Sequence, residues 1–413
     1  MSLVWLFAWK SFTRGQSRLL WASSLAMALG LVPLIVVLSI ADGMIEQISA
    51  RSIETAYYHV QLWQRGGADW TQLTAELRTH LAGVPGVRAV WPEQQGFALG
   101  YAPAGRLGLS VRGIEPGWAH DPGVARFLKS EGELAMDGPN DVWIGREAAR
   151  KLQLRPGDTL KLLTTRSRGA LTIPRVTEVR IAAIVSVGYQ ELDGLWLFAP
   201  LGLTTTLFDA REQPVFWGVQ TGLPLSQTDA FLAAVKRVAG TGYTAASWET
   251  IGRSQFLNYA ATRALLAVVM GLILLVAAVN VSTAMVTTVA ERRRDTAILK
   301  ALGARRGLIG RQFLVLGLLA GVAGTALGVG AGMLAAWSVN GLIGAADSLV
   351  SLLSGSAVHL LNPEYYLETV PVRFDPVTLG SAAAGSLLLS VVFAWWPAHR
   401  ASKERPMDAL RRV

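Results

Sequence analysis

The sequence predicts an α+β membrane protein with four transmembrane helices and a large two-lobed α/β extracytoplasmic domain inserted between helices 1 and 2. Three observations carry this expectation. Four runs hold no charged residue and no histidine: Leu19 to Ala41, Ala264 to Ala290, Gln312 to Ala346 and Pro376 to Ala398. Each exceeds the roughly 20 residues that cross a hydrocarbon core. With 51% hydrophobic and 16% charged residues, the chain is too apolar for an ordinary soluble protein and too polar for a bundle wholly in lipid. Between the first two runs lie residues 42–263, where short strand-like and helix-like segments alternate with turn signals.

Residues 1–18 read as a cytoplasmic interfacial helix, because Leu3 to Phe12 is apolar and Trp-rich and a Thr-Arg-Gly break follows; a frayed terminus is the other reading. Span 1 (19–41) is longer than the roughly 7–15-residue apolar core of a secretory signal. It contains Pro33, whose missing amide loosens a helix locally. Met44, Ile45 and Ile48 continue the helical period beyond the span, so a stalk is expected. In the insertion, a β-α-β lobe is expected over about 55–115 and 213–249. A small barrel-like lobe is expected over about 116–212, where short strands follow tight turns such as Leu154-Arg-Pro-Gly-Asp158.

Residues 250–263 lead as a second helical stalk into span 2 (264–290). That span holds one amide, Asn280, expected to bond to a neighbouring helix because hydrocarbon offers it no partner. Span 3 (312–346) carries Gly317, Gly321, Gly324, Gly328 and Gly332 at spacings that favour close helix packing. Residues 347–375 form an outer loop. Span 4 (376–398) ends at interfacial Trp395 and Trp396, and 399–413 is a basic tail.

Orientation follows from the basic residues. Segments 1–18, 291–311 and 399–413 hold 15 basic residues against 4 acidic ones, whereas the remaining segments hold 23 against 25. The whole positive excess lies on one side, which is assigned to the cytoplasm and places both termini there. Because the basic residues flank membrane spans, the pI near 10.0 needs no nucleic-acid partner. The chain has no cysteine, no phosphate-binding glycine loop, no zinc-protease or serine-hydrolase motif, and five histidines without ligand spacing. No ionisable residue lies inside a span, which disfavours an ion-coupled carrier. The chain is therefore expected to be non-catalytic and to bind no cofactor itself. Energy for any work has to arrive from a partner.

The loop 291–311 is where such a partner would act. Glu291, Arg292, Arg293 and Asp295 precede a helical segment in which Ile298, Leu299 and Leu302 share a face, with Lys300 between them and Gly303 as a stop. A short helix with an apolar ridge and basic flanks suits docking into a groove on another protein. An interfacial loop whose arginines meet lipid headgroups is the alternative.

This segment resembles the cytoplasmic coupling helix of the MacB/FtsX-like superfamily of ABC-transporter permeases, and the resemblance covers the whole chain. Within the superfamily the chain looks most like the lipoprotein-releasing permeases of the LolC/LolE type. The carrying segments are Asn362-Pro-Glu-Tyr-Tyr-Leu-Glu-Thr-Val-Pro371 and Val142-Trp-Ile-Gly-Arg-Glu-Ala-Ala-Arg-Lys-Leu-Gln-Leu-Arg-Pro-Gly-Asp158. The resemblance implies a multi-pass subunit of the bacterial inner membrane, paired with a second permease, the same or homologous. It also implies two copies of a cytoplasmic ABC ATPase, which bind the ATP and Mg. Motion at the coupling helix would close a cavity lined by spans 1 and 2, with Val32, Val36, Met270 and Leu274 as candidate lining. A lipoprotein would then pass to a periplasmic carrier. Arg166, Arg168, Pro174 and Arg175 lie where one family member carries a projecting hairpin, and are candidate carrier contacts or an ordinary strand connection. Two alternatives stand beside lipoprotein release: a mechanotransmitter driving an efflux partner or a cell-wall hydrolase, and a membrane-anchored receptor or enzyme without an ATPase.

Overall fold

The computed structural model describes residues 18–64, 70–168, 171–354 and 370–403. The interfacial helix expected before residue 18, the motif at 362–369 and the tail after 403 lie outside the described residues.

Element order follows the hydropathy pattern. The first long helix, α1 (Arg18–Ser52), continues through a π-helical turn (Ile53–Tyr57) to β1 (Val60–Gln64). There follow α2 (Trp70–Leu81), β2 (Val87–Ala102), β3 (Gly105–Ile114), β4 (Lys129–Gly132), β5 (Asp141–Gly145) and α3 (Arg146–Leu152). Next come β6 (Thr159–Arg168), β7 (Leu171–Ser186), β8 (Trp196–Pro200), α4 (Leu201–Leu207), β9 (Phe216–Thr221), α5 (Thr228–Ala239) and β10 (Tyr243–Ser247). The chain ends in α6 (Arg253–Glu291), α7 (Arg293–Ala301), α8 (Arg306–Trp337), α9 (Val339–Ser354) and α10 (Pro376–Lys403). Of these, α1, α6, α8 and α10 are long and apolar enough to cross a membrane.

The described chain divides into a helical unit and a sheet-rich unit covering residues 46–257. In the sheet-rich unit, β10, β1, β9 and the first half of β2 form an antiparallel layer. Helices α2 and α5 pack on it through Leu77, Leu81, Phe231 and Val235, against Val60, Leu62, Trp217 and Val219. The second half of β2 pairs with both β3 and β6, and the ladder continues β3-β8-β5-β7-β6 back to β2. Six strands thus close a ring around Leu109, Val111, Val142, Ile144, Leu160, Leu162, Val179, Ile181 and Leu197. Closure removes the edges that an open sheet would leave unpaired. The ring corrects the sequence division at residue 115: it draws in β3 and Gln94–Ala102 of β2. One 16-residue strand serves both layers, a role that local alternation of apolar residues does not report.

The start of this unit is held by a buried ionic knot. Arg112 is 1% exposed; its Nε and Nη2 donate to Glu93 at 2.6 and 2.8 Å, and its Nη1 donates to the carbonyl of Thr55. The Tyr58 hydroxyl donates to the same carboxylate, and burial pushes its ionisation well above the usual tyrosine range. Tyr58 adopts φ 55°, a conformation costly for a bulky side chain. The knot fixes the residue in place.

In the helical unit, the glycines of α8 serve two neighbours. A Cβ on Gly324 would meet the Ser24 carbonyl of α1 at 2.7 Å, and one on Gly328 would meet Leu31 at 2.9 Å. Gly317 and Gly321 instead face Ala394 and Ser390 of α10. Buried hydroxyls add interhelical bonds, Ser24 to Ala320 O at 3.0 Å and Ser390 to Gly317 O at 3.1 Å. At one end of the unit, Arg263 of α6 pairs with Asp42 of α1 and donates to Thr378 of α10 at 2.8 Å.

Two expectations are corrected. The uncharged run 312–346 is not one span: α8 begins at Arg306 and ends at Trp337, and α9 starts at Val339 after a break at Ser338. Absence of charge reports transfer to lipid, not continuity of a helix. Asn280 is exposed, and among the described residues it finds no hydrogen-bond partner.

Candidate functional site: the basic loop between α6 and α8

Helix α7 has no side-chain cap where it starts at Arg292 and is stopped by backbone bonds where it ends. At its start, the Thr296 hydroxyl and amide donate to the Arg292 carbonyl at 2.9 and 3.0 Å. At its end, the Ala304 amide bonds to Leu299 O and the Gly303 amide to Lys300 O, both at 3.0 Å. This is the Schellman pattern, and Gly303 supplies the φ of 94° that it needs. Arg305 then takes an extended conformation as the cap of α8.

The helix has two differently committed faces. Ala297 is 3% exposed and Leu299 half-buried, while Lys300 Nζ donates to Ser402 O of α10 at 3.2 Å. Ala304 packs against the cluster that includes Ile309, Phe313 and Ala398. On the other face, Ile298 is 47% and Leu302 80% exposed, one helical turn apart. Glu291, Arg293 and Arg294 are exposed before them, as are Gly303, Arg305 and Arg306 after them. Arg292 is half-buried. The backbone of Asp295 lies in α7; its side chain is outside the described residues. Of the sequence-predicted ridge, Ile298 and Leu302 are exposed together, while Leu299 is half-buried. The backbone bond made by Lys300 was not legible, because its acceptor lies about a hundred residues away.

The other predicted positions separate. Leu274 is 4% exposed, packed with Leu31, Leu34, Ile35 and Leu38, and Met270 lies against the same cluster. Burial within its own chain removes Leu274 from any surface a cargo could reach in this conformation. Val32 and Val36 keep partial exposure. In the β6–β7 hairpin, Arg166 pairs in register with Ile173 and Arg168 with Leu171; their side chains are not among those described. Pro174 is exposed. The Arg175 guanidinium bends back to Thr206 O at 2.7 Å. The described residues of the two strands pair regularly out to Arg168 and Leu171, as a projecting hairpin and a plain strand connection both would.

Four membrane-length helices, a sheet-rich unit between the first two and a basic helical loop with an outward apolar face define a multi-pass membrane protein with a large domain outside the spans. A family model described as the MacB-like periplasmic core domain matches residues 21–239, and one described as the FtsX-like permease C-terminal matches residues 267–406. The chain belongs to the MacB/FtsX-like family of ABC-transporter permeases. It is 26% identical to the lipoprotein-releasing system transmembrane protein LolC of Neisseria meningitidis serogroup B, over 93% of this chain and 92% of that one. It is 23% identical to the LolE protein of Haemophilus influenzae, over 94% and 93%. The crystal structure of the periplasmic region of MacB from Actinobacillus actinomycetemcomitans aligns with 47% of this chain and 91% of its own, at 12% identity and a TM-score of 0.30.

Proposed function

We propose that this chain is a permease subunit of an ABC transporter that extracts lipoproteins from the bacterial inner membrane and hands them to a periplasmic carrier. Two copies of a separate cytoplasmic ATPase, which bind the ATP and Mg, drive it. The observation that carries this reading is the outward pair Ile298 and Leu302 on a helix wedged between two spans. The names of relatives that match more than nine-tenths of both chains supply the cargo class.

In this reading the cytoplasm holds 291–311 and both termini, in agreement with the one-sided basic excess, and the sheet-rich unit lies in the periplasm. The ATPase grips Ile298 and Leu302, with Glu291 and Arg293 at the rim. Lys300 bonds to α10 and Ala304 packs against the cluster that joins α8 and α10, so a push on α7 becomes a push on those helices. The work needed is large: at about 0.8 kcal/mol per buried CH₂, one long acyl chain is held by on the order of 10 kcal/mol. One such chain alone binds reversibly, and a cargo that carries more than one is held too tightly to leave unaided.

Photo-crosslinkers at Val32 and Val36, in native membranes with the ATPase present, test the extraction step. Capture of an acylated protein is the expected outcome. Labelling of neighbouring helices alone would sink extraction and favour a mechanotransmitter that drives an efflux partner or a cell-wall hydrolase.

A further inference from the structure

The sheet-rich unit holds a cavity of about 290 Å³, lined by the end of α1, the start of β1, Arg88 of β2, Arg126 and the loop after β9. Its volume lies at the lower end of the roughly 300–1,000 Å³ of small-molecule sites. One wall is apolar, made by Ala50, Ile53, Leu223, Pro224 and Leu225. The other is ionic. Glu54, inside the π-helical turn, pairs with Arg88 at 2.5 Å and with Arg126 at 3.4 Å, and Asp121 pairs with Arg88 at 3.0 Å. Turns of this kind are rare and recur at functional sites.

The charges of these four side chains cancel, and both carboxylates are already engaged. Two guanidinium groups hold Glu54, while Arg88 and the Gly123 amide hold Asp121. What stays open is donors. His59 is 5% exposed and lines the cavity. The Thr221 amide donates to its Nδ1 at 3.4 Å, so the imidazole proton sits on Nε2. Among the described residues, no group bonds to Nε2. Burial, then Arg88 and Arg126, push this imidazole down to about 4, which keeps it a neutral donor near pH 7. The Arg126 side chain is 54% exposed, and among the described residues its one ion pair is the long contact with Glu54.

A ligand for this cavity therefore accepts hydrogen bonds. Guanidinium and imidazole N–H groups bind a carboxylate strongly. The two resident carboxylates repel a second negative charge, which favours a monoanion over phosphate. Water would satisfy Nε2 but would leave the apolar wall wetted. We propose that this cavity binds a small monocarboxylate with an apolar body, its carboxylate held by Arg126 and His59 Nε2 and its body against Ile53, Leu223 and Leu225. The carboxylate belongs either to a free small molecule or to the last residue of a polypeptide. The proposal does not depend on ATP-driven extraction.

Purified full-length chain in detergent is titrated calorimetrically with N-acetyl-leucine, its neutral amide, inorganic phosphate and a short peptide ending in a free leucine carboxylate. Saturable binding of N-acetyl-leucine is expected, with the amide at least roughly 10-fold weaker. Arg126→Gln is expected to weaken binding roughly 10- to 100-fold, as loss of a hydrogen bond to a charged group does. Ala50→Phe, which fills the apolar side without touching a charge, is expected to abolish it. Melting temperatures of both variants establish that they are folded. The peptide binding at least as tightly as N-acetyl-leucine assigns the carboxylate to a polypeptide end, and its exclusion while N-acetyl-leucine binds assigns it to a free small molecule. No saturable binding of either carboxylate below about 10 mM, equal binding of acid and amide, phosphate bound as tightly as the acid, or native affinity in folded Arg126→Gln overturns the proposal.

Discussion

Leu302→Asp separates docking from folding on a single helix. Leu302 is 80% exposed, so in the free chain the substitution touches little packing. Stability should stay within about 0.5 kcal/mol of native, as at other surface sites. In a docked complex, full burial of a leucine contributes about 1.5–3 kcal/mol, and a carboxylate in the same groove adds an unpaired charge. The combined loss is at least about 3 kcal/mol, or more than roughly 100-fold in affinity. Ala297→Asp is the internal contrast: at 3% exposure it puts a charge into the helical unit itself and should destabilise the chain. The assay is co-purification of the ATPase in detergent, with thermal denaturation of the same preparations. Leu302→Asp retaining the ATPase at native stoichiometry would refute the docking role of α7. Equal destabilisation by the two variants would refute the assignment of its faces.

Removing one partner of the buried knot should be severe. Arg112→Met strips the Glu93 carboxyl, at 0% exposure, of its guanidinium partner, a cost of about 3–5 kcal/mol that chemical denaturation of the full chain would read; adding Glu93→Gln should recover part of it. His59 confers a pH dependence. Burial, then Arg88 and Arg126, push its imidazole down to about 4, while the unfolded chain takes up the proton near 6.5. The stability from neutral His59 is thus present above pH 6.5 and lost as pH falls toward 4, by about 3 kcal/mol. A His59→Gln variant should show a flatter profile between those pH values, and an unchanged slope would contradict the assignment. Gly324→Ala places a methyl against the Ser24 carbonyl and the Met27 side chain and should cost about 1–3 kcal/mol, measurable as a lower melting temperature in detergent.

Much of this was legible because membrane transfer and helix capping are local. A run such as Ala264 to Ala290 marks a span whatever surrounds it, and Gly303 after Leu302 marks a helix end. The apolar ridge of α7 was legible for the same reason, since a 3.6-residue period is written in consecutive residues. Which part of the ridge stays outside was not, because the partners of Lys300 and Ala304 come from α8 and α10. Likewise, alternation in 159–187 announced strands. Closure of the ring depended on Leu99 meeting Leu163 and Ser110 meeting Trp196, pairings between distant segments.

Sequence by itself determined the number of membrane-length apolar runs, their one-sided basic flanks, the sheet-rich insertion and the place of the basic helical loop 291–311. Each follows from the transfer free energy or backbone preference of neighbouring residues. Tertiary structure alone decided that Leu274 is sealed inside, that the 312–346 run divides at Ser338, that Arg112 and Glu93 meet in the dark, and that Asn280 stands uncovered. Those outcomes depend on which surfaces exclude each other's solvent, and exclusion is a property of the packed chain rather than of any segment in it.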